Sequence, residues 1–281
     1  MILKLRRLEK QPRAALGVVL FSCLAACTSV PLPKGTSLSS DAGMSASGGT
    51  LTKAKLRLDS TPVLAARTVR IVPTSTQIGG HGFNAQDLAL VSNAIDRAIC
   101  TNLSDRFQIV PPNQPADLAI HATVTDIVAT NRTAAAGSIA VSLGASVADL
   151  GVPVPRLPIG LGGLAIEAEA LDKDGLQRAA MLWSRGANMI TTKARVSTVG
   201  DAYSLSSAFA ADFSRMLVKG KDPFKGLPAI PSMQSLRVSL GGKPKYDACK
   251  AFGRAPGIPG IVAARFGLPP TWTDKGAAIP R

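Results

Sequence analysis

The stretch "LAIEAEALDKDGLQRAAMLWSRGAN", Leu164 to Asn188, constrains the fold most. Two apolar-rich runs flank Asp172-Lys173-Asp174-Gly175, and that quartet supplies turn chemistry, so the segment reads as a β-hairpin. Within its first run Glu167 and Glu169 share one face, opposite Ile166 and Ala168. A sheet built on such a hairpin needs a second layer over its apolar face. Two segments can provide it. Leu88, Val91, Ile95, Ile99 and Leu103 recur at helical spacing after Asn84, a candidate N-cap, and predict a helix over roughly 85–105. "DAYSLSSAFAADFSRMLVKG" predicts a last helix capped by Asp201 and ended by Gly220.

Shorter runs complete the sheet. "RTVRIVP" (67–73) and "FQIVPP" (107–112) are short strands stopped by proline, and "ADLAIHATVTDIVAT" (116–130) alternates as a half-buried strand with a polar face. The resulting order is strand, helix, two strands, an insert, two strands and a helix. It predicts an α+β fold with a small, mostly antiparallel sheet and two main helices on one face. Between the strands lies "AAAGSIAVSLGASVADLGVPVPRLPIGLGG" (134–163), whose glycines and prolines speak against a core helix. It is expected to be an apolar insertion packing along the sheet edge or on an oligomer partner, with a membrane-inserting flap as the second reading.

Four regions follow. Residues 1–27 carry five Lys/Arg ahead of the apolar run Ala14–Ala26 and read as a signal peptide; thirteen residues are too few for a span, which needs about 20. The run ends in Leu24-Ala25-Ala26-Cys27, which resembles a bacterial lipobox, so Cys27 is the expected lipidation site. With Thr28 rather than Asp after it, the expected location is the outer membrane, facing the periplasm. Residues 28–62, Ser/Thr/Gly/Pro-rich, read as a flexible tether, 63–220 as the α+β domain, and 221–281 as a basic Pro/Gly-rich extension without sustained periodicity. The chain carries a net charge of +14, and residues 219–281 hold eleven Lys/Arg against Asp222, Asp247 and Asp274. That local basicity suits anionic lipid, lipopolysaccharide or peptidoglycan, or is a solvated tail; an exported lipoprotein leaves nucleic acid aside. Cys23 departs with the signal, which leaves Cys100 and Cys249 as candidates for a bridge in an oxidising compartment.

Catalytic patterns are thin. His81 sits in a Gly-rich loop and His121 on the polar face of a strand, with no second ligand at metal spacing, so neither a metal nor a cofactor is expected. No Gly-x-Ser-x-Gly elbow presents a serine. Glu167 and Glu169 could form an acid–base pair, but a solvated strand face with Arg178 or Arg185 as partners is the simpler reading. "GLGG" (160–163) precedes a strand rather than opening a helix, which rejects a phosphate cradle.

Several collinear pieces resemble one family. "VTDIVATN" (124–131), "LGGLAIEAEALDKDG" (161–175), "WSRGAN" (183–188) and "RVSTVGDAYSLSSAFAADFSRML" (195–217), all downstream of a lipobox, are similar to the bacterial lipoproteins grouped as domain of unknown function 3313. The resemblance implies a cell-envelope lipoprotein without an assigned activity. The expectation is therefore a non-catalytic structural, assembly or scaffolding module. An envelope protein or a second copy of the chain is its expected partner, and polymer binding through the basic extension is the alternative.

Overall fold

The computed structural model describes residues 29–79, 82–147, 156–226 and 231–276; Cys27 and His81 lie outside them. Its strands are β1 (Ser45–Gly48), β2 (Thr52–Leu58), β3 (Thr68–Ile71), β4 (Ser75–Thr76), β5 (Gln108–Val110), β6 (Leu118–Val128), β7 (Gly163–Asp172) and β8 (Gln177–Gly186). The helices are α1 (Ser60–Ala65), α2 (Ala85–Leu103), α3 (Arg132–Val147), α4 (Gly200–Lys219), α5 (Met233–Ser239) and α6 (Gly257–Arg265), with short 3₁₀ turns at Asp247–Phe252 and Pro270–Trp272. One sheet runs β1-β2-β8-β7-β6-β3-β5, with β4 also on β6. It is mostly antiparallel; only β3, β4 and β5 enter in parallel. The class is α+β.

The hairpin at the centre forms as its turn residues require. Asp172 Oδ1 accepts from Asp174 N and Leu176 N, both at 2.9 Å, and Gly175 takes φ +77°, a left-handed conformation that glycine adopts without a Cβ penalty. One face of β7 and β8 presents Leu164, Ile166, Ala168, Ala170, Met181 and Trp183 to the buried sides of α2 and α4. Three of the chain's few aromatics meet here. Trp183 meets Phe209 edge-on at 5.6 Å, and Phe209 stacks on Phe213 at 5.9 Å. Asn84 caps α2 through Asp87 N at 2.7 Å, and Gly220, at φ +60°, ends α4.

Four expectations need correction. Residues 28–62 are not a tether throughout: β1 and β2 form a hairpin that extends the sheet along β8, Leu56 packing into the core beside Met181. The insert does not follow the sheet edge, which belongs to β1 and β5. Its first half lies in α3, rich in alanine, serine and glycine, lodged against the C-terminal segment so closely that a Cβ on Gly267 would lie 1.9 Å from Ile139 Cδ1. Its middle, 148–155, is outside the described residues. The extension is folded: α5 and the 3₁₀ turn Asp247–Phe252 pack on α2, α6 packs on α5 and on the Pro270–Trp272 turn, and Cys249 and Phe252 enter the core. Asp201 is not a cap. It sits in the first turn of α4, fully buried, and Arg156 grips it from both amino groups (2.6 and 3.0 Å), while Gly162 N and Thr130 Oγ1 complete the contacts.

Candidate functional site

The outer sides of α2 and α4 carry small residues where they meet: Ala94 and Ala98 on one, Ser204, Ser207, Ala208 and Ala211 on the other. Small side chains leave a trough. The C-terminal segment forms its far wall through α5 and α6, closing an open groove of about 780 Å³. That volume matches the range for small-molecule or peptide sites, about 300–1,000 Å³.

Asp274 holds the wall in place. Its carboxylate pairs with the Arg97 guanidinium, accepts from Tyr203 Oη at 2.7 Å and from Gly276 N at 2.9 Å, and is almost wholly buried. Arg97 also donates to Phe252 O at 3.2 Å. Burial, with Asp274 beside it, pushes the Tyr203 hydroxyl well above its usual range, so it remains a donor. The Arg195 guanidinium lies 5.3 Å from the Tyr203 ring centre, and burial lowers its pKa from the ordinary value.

The groove is cationic. Arg97, Arg185, Lys193 and Arg195 line it, and no Asp or Glu among the described residues does. Arg97 is committed to Asp274, whereas the Nε atoms of Arg185 and Arg195 are buried without a hydrogen-bond partner among the described residues, as is Thr273 Oγ1. Buried unpaired donors are costly, about 1–3 kcal/mol each, and their gathering in one groove favours an anionic, acceptor-rich ligand with an apolar body.

The carboxylates singled out in the sequence lie elsewhere. Glu167 and Glu169 face the side of the sheet opposite the helices and are not solvated; they are 1% and 5% exposed. Residues 35–39 cross that face as a strap. Glu167 accepts from Gly35 N and Ser37 N, both at 2.7 Å, and from Ser37 Oγ. Glu169 accepts from Ser39 N (2.8 Å), Ser39 Oγ (2.9 Å) and Gln177 Nε2 (2.6 Å). Arg178 pairs instead with Asp172 and Asp59. The two-residue period of the glutamates matches that of Gly35, Ser37 and Ser39, so each carboxylate is spent on backbone and hydroxyl donors. His121 is opposite Glu169 on β6, half-buried, and burial lowers its pKa. None of the three residues lines the groove. Cys100 and Cys249 are joined in a disulfide, Cα atoms 5.7 Å apart. Cys100 is buried, not turned outward, because the C-terminal segment covers that side of α2. Among the described residues no group of three or more His, Cys, Asp or Glu could hold a metal ion, and no helix is long and apolar enough to cross a membrane.

Little in the sequence points to the groove, because arginines without partners look like any others until the surrounding elements are placed. One signal was available for the strap: two glutamates in an apolar strand, and a Gly/Ser repeat of the same period upstream.

A family model described as "Protein of unknown function (DUF3313)" matches residues 37–213. The chain belongs to this family. The match spans strap, sheet, α2 and most of α4, and stops short of the C-terminal wall, so the groove joins the DUF3313 core to a segment outside the match. No curated protein matches the chain by sequence. Among solved structures, a PelC dodecamer from Paraburkholderia phytofirmans is similar at 10% identity, covering 59% of this chain and 97% of that one, with a TM-score of 0.36. A point variant of the same protein gives 11% identity, 57% and 95% coverage and a TM-score of 0.32.

Proposed function

We propose that this DUF3313 protein is an outer-membrane lipoprotein, lipidated at Cys27 and facing the periplasm. Its α+β domain is a non-catalytic binding and scaffolding module. The observation that carries the binding role is the cationic groove between α2, α4 and the C-terminal wall, with the unpartnered Nε atoms of Arg185 and Arg195. An anionic group of a partner satisfies those donors while its apolar body lies on the alanines of the trough. The probe 8-anilinonaphthalene-1-sulfonate has this chemistry. It should bind saturably at one site per chain, and Arg185→Gln or Arg195→Gln should weaken it by roughly fivefold or more, the equivalent of one lost charged hydrogen bond. Equal binding by both variants at unchanged unfolding midpoint would refute the groove. Lipidation is tested separately: Cys27→Ser should leave the membrane fraction.

A second reading has its own support. Asp274 is buried in an ion pair, and Lys225 and Lys250 are paired with Asp222 and Asp247, while Lys219, Lys221, Arg237, Lys243 and Arg265 are exposed, so the outward field of the C-terminal segment is positive and suited to peptidoglycan or lipopolysaccharide. Pull-down on purified sacculi that weakens with salt would favour it.

A further inference from the structure

The described chain begins at a fixed point. Lys53 Nζ donates to Ser29 Oγ at 2.8 Å and to Val30 O at 3.4 Å, and Ser184 Oγ donates to Val30 O at 3.2 Å. Val30 is 2% exposed, seated on Gly163, where a Cβ would come within 2.2 Å of Val30 Cγ2. Lys53, Gly163 and Ser184 mark one end of the sheet: the start of β2, the start of β7 and the finish of β8. Two residues of chain, at most about 7 Å of backbone, separate Cys27 from Ser29 in the sequence. A free linker of 35 residues would instead wander over about 30 Å and leave the domain unoriented.

The same end is apolar at its rim. Ile190 is 85% exposed, Ile159 61% and Leu51 38%. All three adjoin residues paired there: Thr52 with Arg185, Gly160 O with Asn131 N, and Met189 O with Arg156 N. Lys53 and Lys193 are exposed, the first held by Ser29 and Val30 and the second at the groove. The turn at Asp172–Gln177 marks the other end of the hairpin, about 30 Å away along the ten residues of β7.

We infer that this end of the sheet rests on the phospholipid surface, with Ile190, Ile159 and Leu51 at the interface. The inference builds on lipidation at Cys27. The strap converts the anchor from a leash into a mount, which holds the domain in one orientation.

The test uses full-length lipidated protein in vesicles of phosphatidylethanolamine and phosphatidylglycerol. Ile190→Cys and, at the far end, Leu176→Cys each carry an environment-sensitive fluorophore, with the native disulfide kept oxidised. The position-190 probe should be quenched several-fold more strongly by nitroxide lipid than the position-176 probe, and should be shielded from aqueous iodide. Equal quenching at the two positions in vesicle-bound protein overturns the inference and leaves lipidation standing. Shielding from iodide without lipid quenching also overturns it, because a second copy or another protein then covers that end. Protein that does not partition into membranes at all overturns lipidation, and the inference with it.

Discussion

Reduction of the Cys100–Cys249 disulfide is the sharpest probe of whether the C-terminal wall is fixed. The bridge joins residues 149 apart in sequence. In the chain-entropy account, a loop of that size removes about 17 cal/mol/K from the unfolded ensemble, or about 5 kcal/mol at 25 °C. Native disulfides commonly deliver somewhat less, about 2–4 kcal/mol. The full effect requires both cysteines to be immobile in the folded state. Here both are: Cys100 lies inside α2 at 0% exposure, and Cys249 at 2% lies in a 3₁₀ turn whose Phe252 carbonyl accepts from Arg97. Urea unfolding followed by far-ultraviolet circular dichroism, with and without reductant, measures the difference. At about 3 kcal/mol per molar urea, a loss of about 4 kcal/mol moves the midpoint down by about 1.3 M. The double variant Cys100→Ala/Cys249→Ala should move it as far or farther, since buried sulfur contacts go too. A shift under about 0.3 M would refute the reasoning, because a cross-link to a loose tail restricts folded and unfolded chains alike.

Other perturbations address the remaining features. Glu167→Ala orphans the donors of Gly35 and Ser37; it should cost about 1–3 kcal/mol and speed tryptic cleavage after the exposed Lys34, and an unchanged cleavage rate would refute the strap. Asp201→Asn breaks a buried ion pair and should cost about 3–5 kcal/mol, whereas Arg156→Met with Asp201→Leu should recover most of that loss; an intact midpoint in the single variant would show the pair to be dispensable. Asp96, buried against Thr74, is raised from 3.8 to about 7, mainly by desolvation. Its folded-state pKa lies above the unfolded value, so the folded protein holds the extra proton and stability falls as pH rises from about 4 to 7, by up to about 4 kcal/mol. Asp96→Asn should flatten that slope in denaturant midpoints across pH 4–8; a slope identical to the parent's would refute the assignment.

The elements that the sequence declares most clearly are those with a strong local signal. Asn84, the 3.6-residue stripe of α2, the Asp-Lys-Asp-Gly turn and Gly220 each bring their own geometry, and each stands where its chemistry implies. What stayed hidden depends on distant partners. β2 carries four polar residues in seven, and its place in the sheet follows from pairing with β8 rather than from any apolar run. α3 contains glycine yet is helical, because tertiary contacts with the C-terminal segment outweigh a propensity penalty of about 1 kcal/mol. The irregular look of residues 221–276 reflects short helices that pack on α2 and on one another, with the disulfide and Asp274 as their attachments. The groove inherits this difficulty, since its two walls come from segments with no shared sequence pattern.

The strap also dictates an order of events. Gly35 leaves the ribosome early, yet its backbone hydrogen-bond partner, Glu167, is 132 residues farther along, and β2 must wait equally for β8. Contacts of such sequence separation form only after the intervening chain has condensed. The first described residues to be synthesised are therefore the last to be fixed. Until the β7–β8 hairpin exists, residues 29–39 have no sheet to close against; once it exists, the same stretch is held on it.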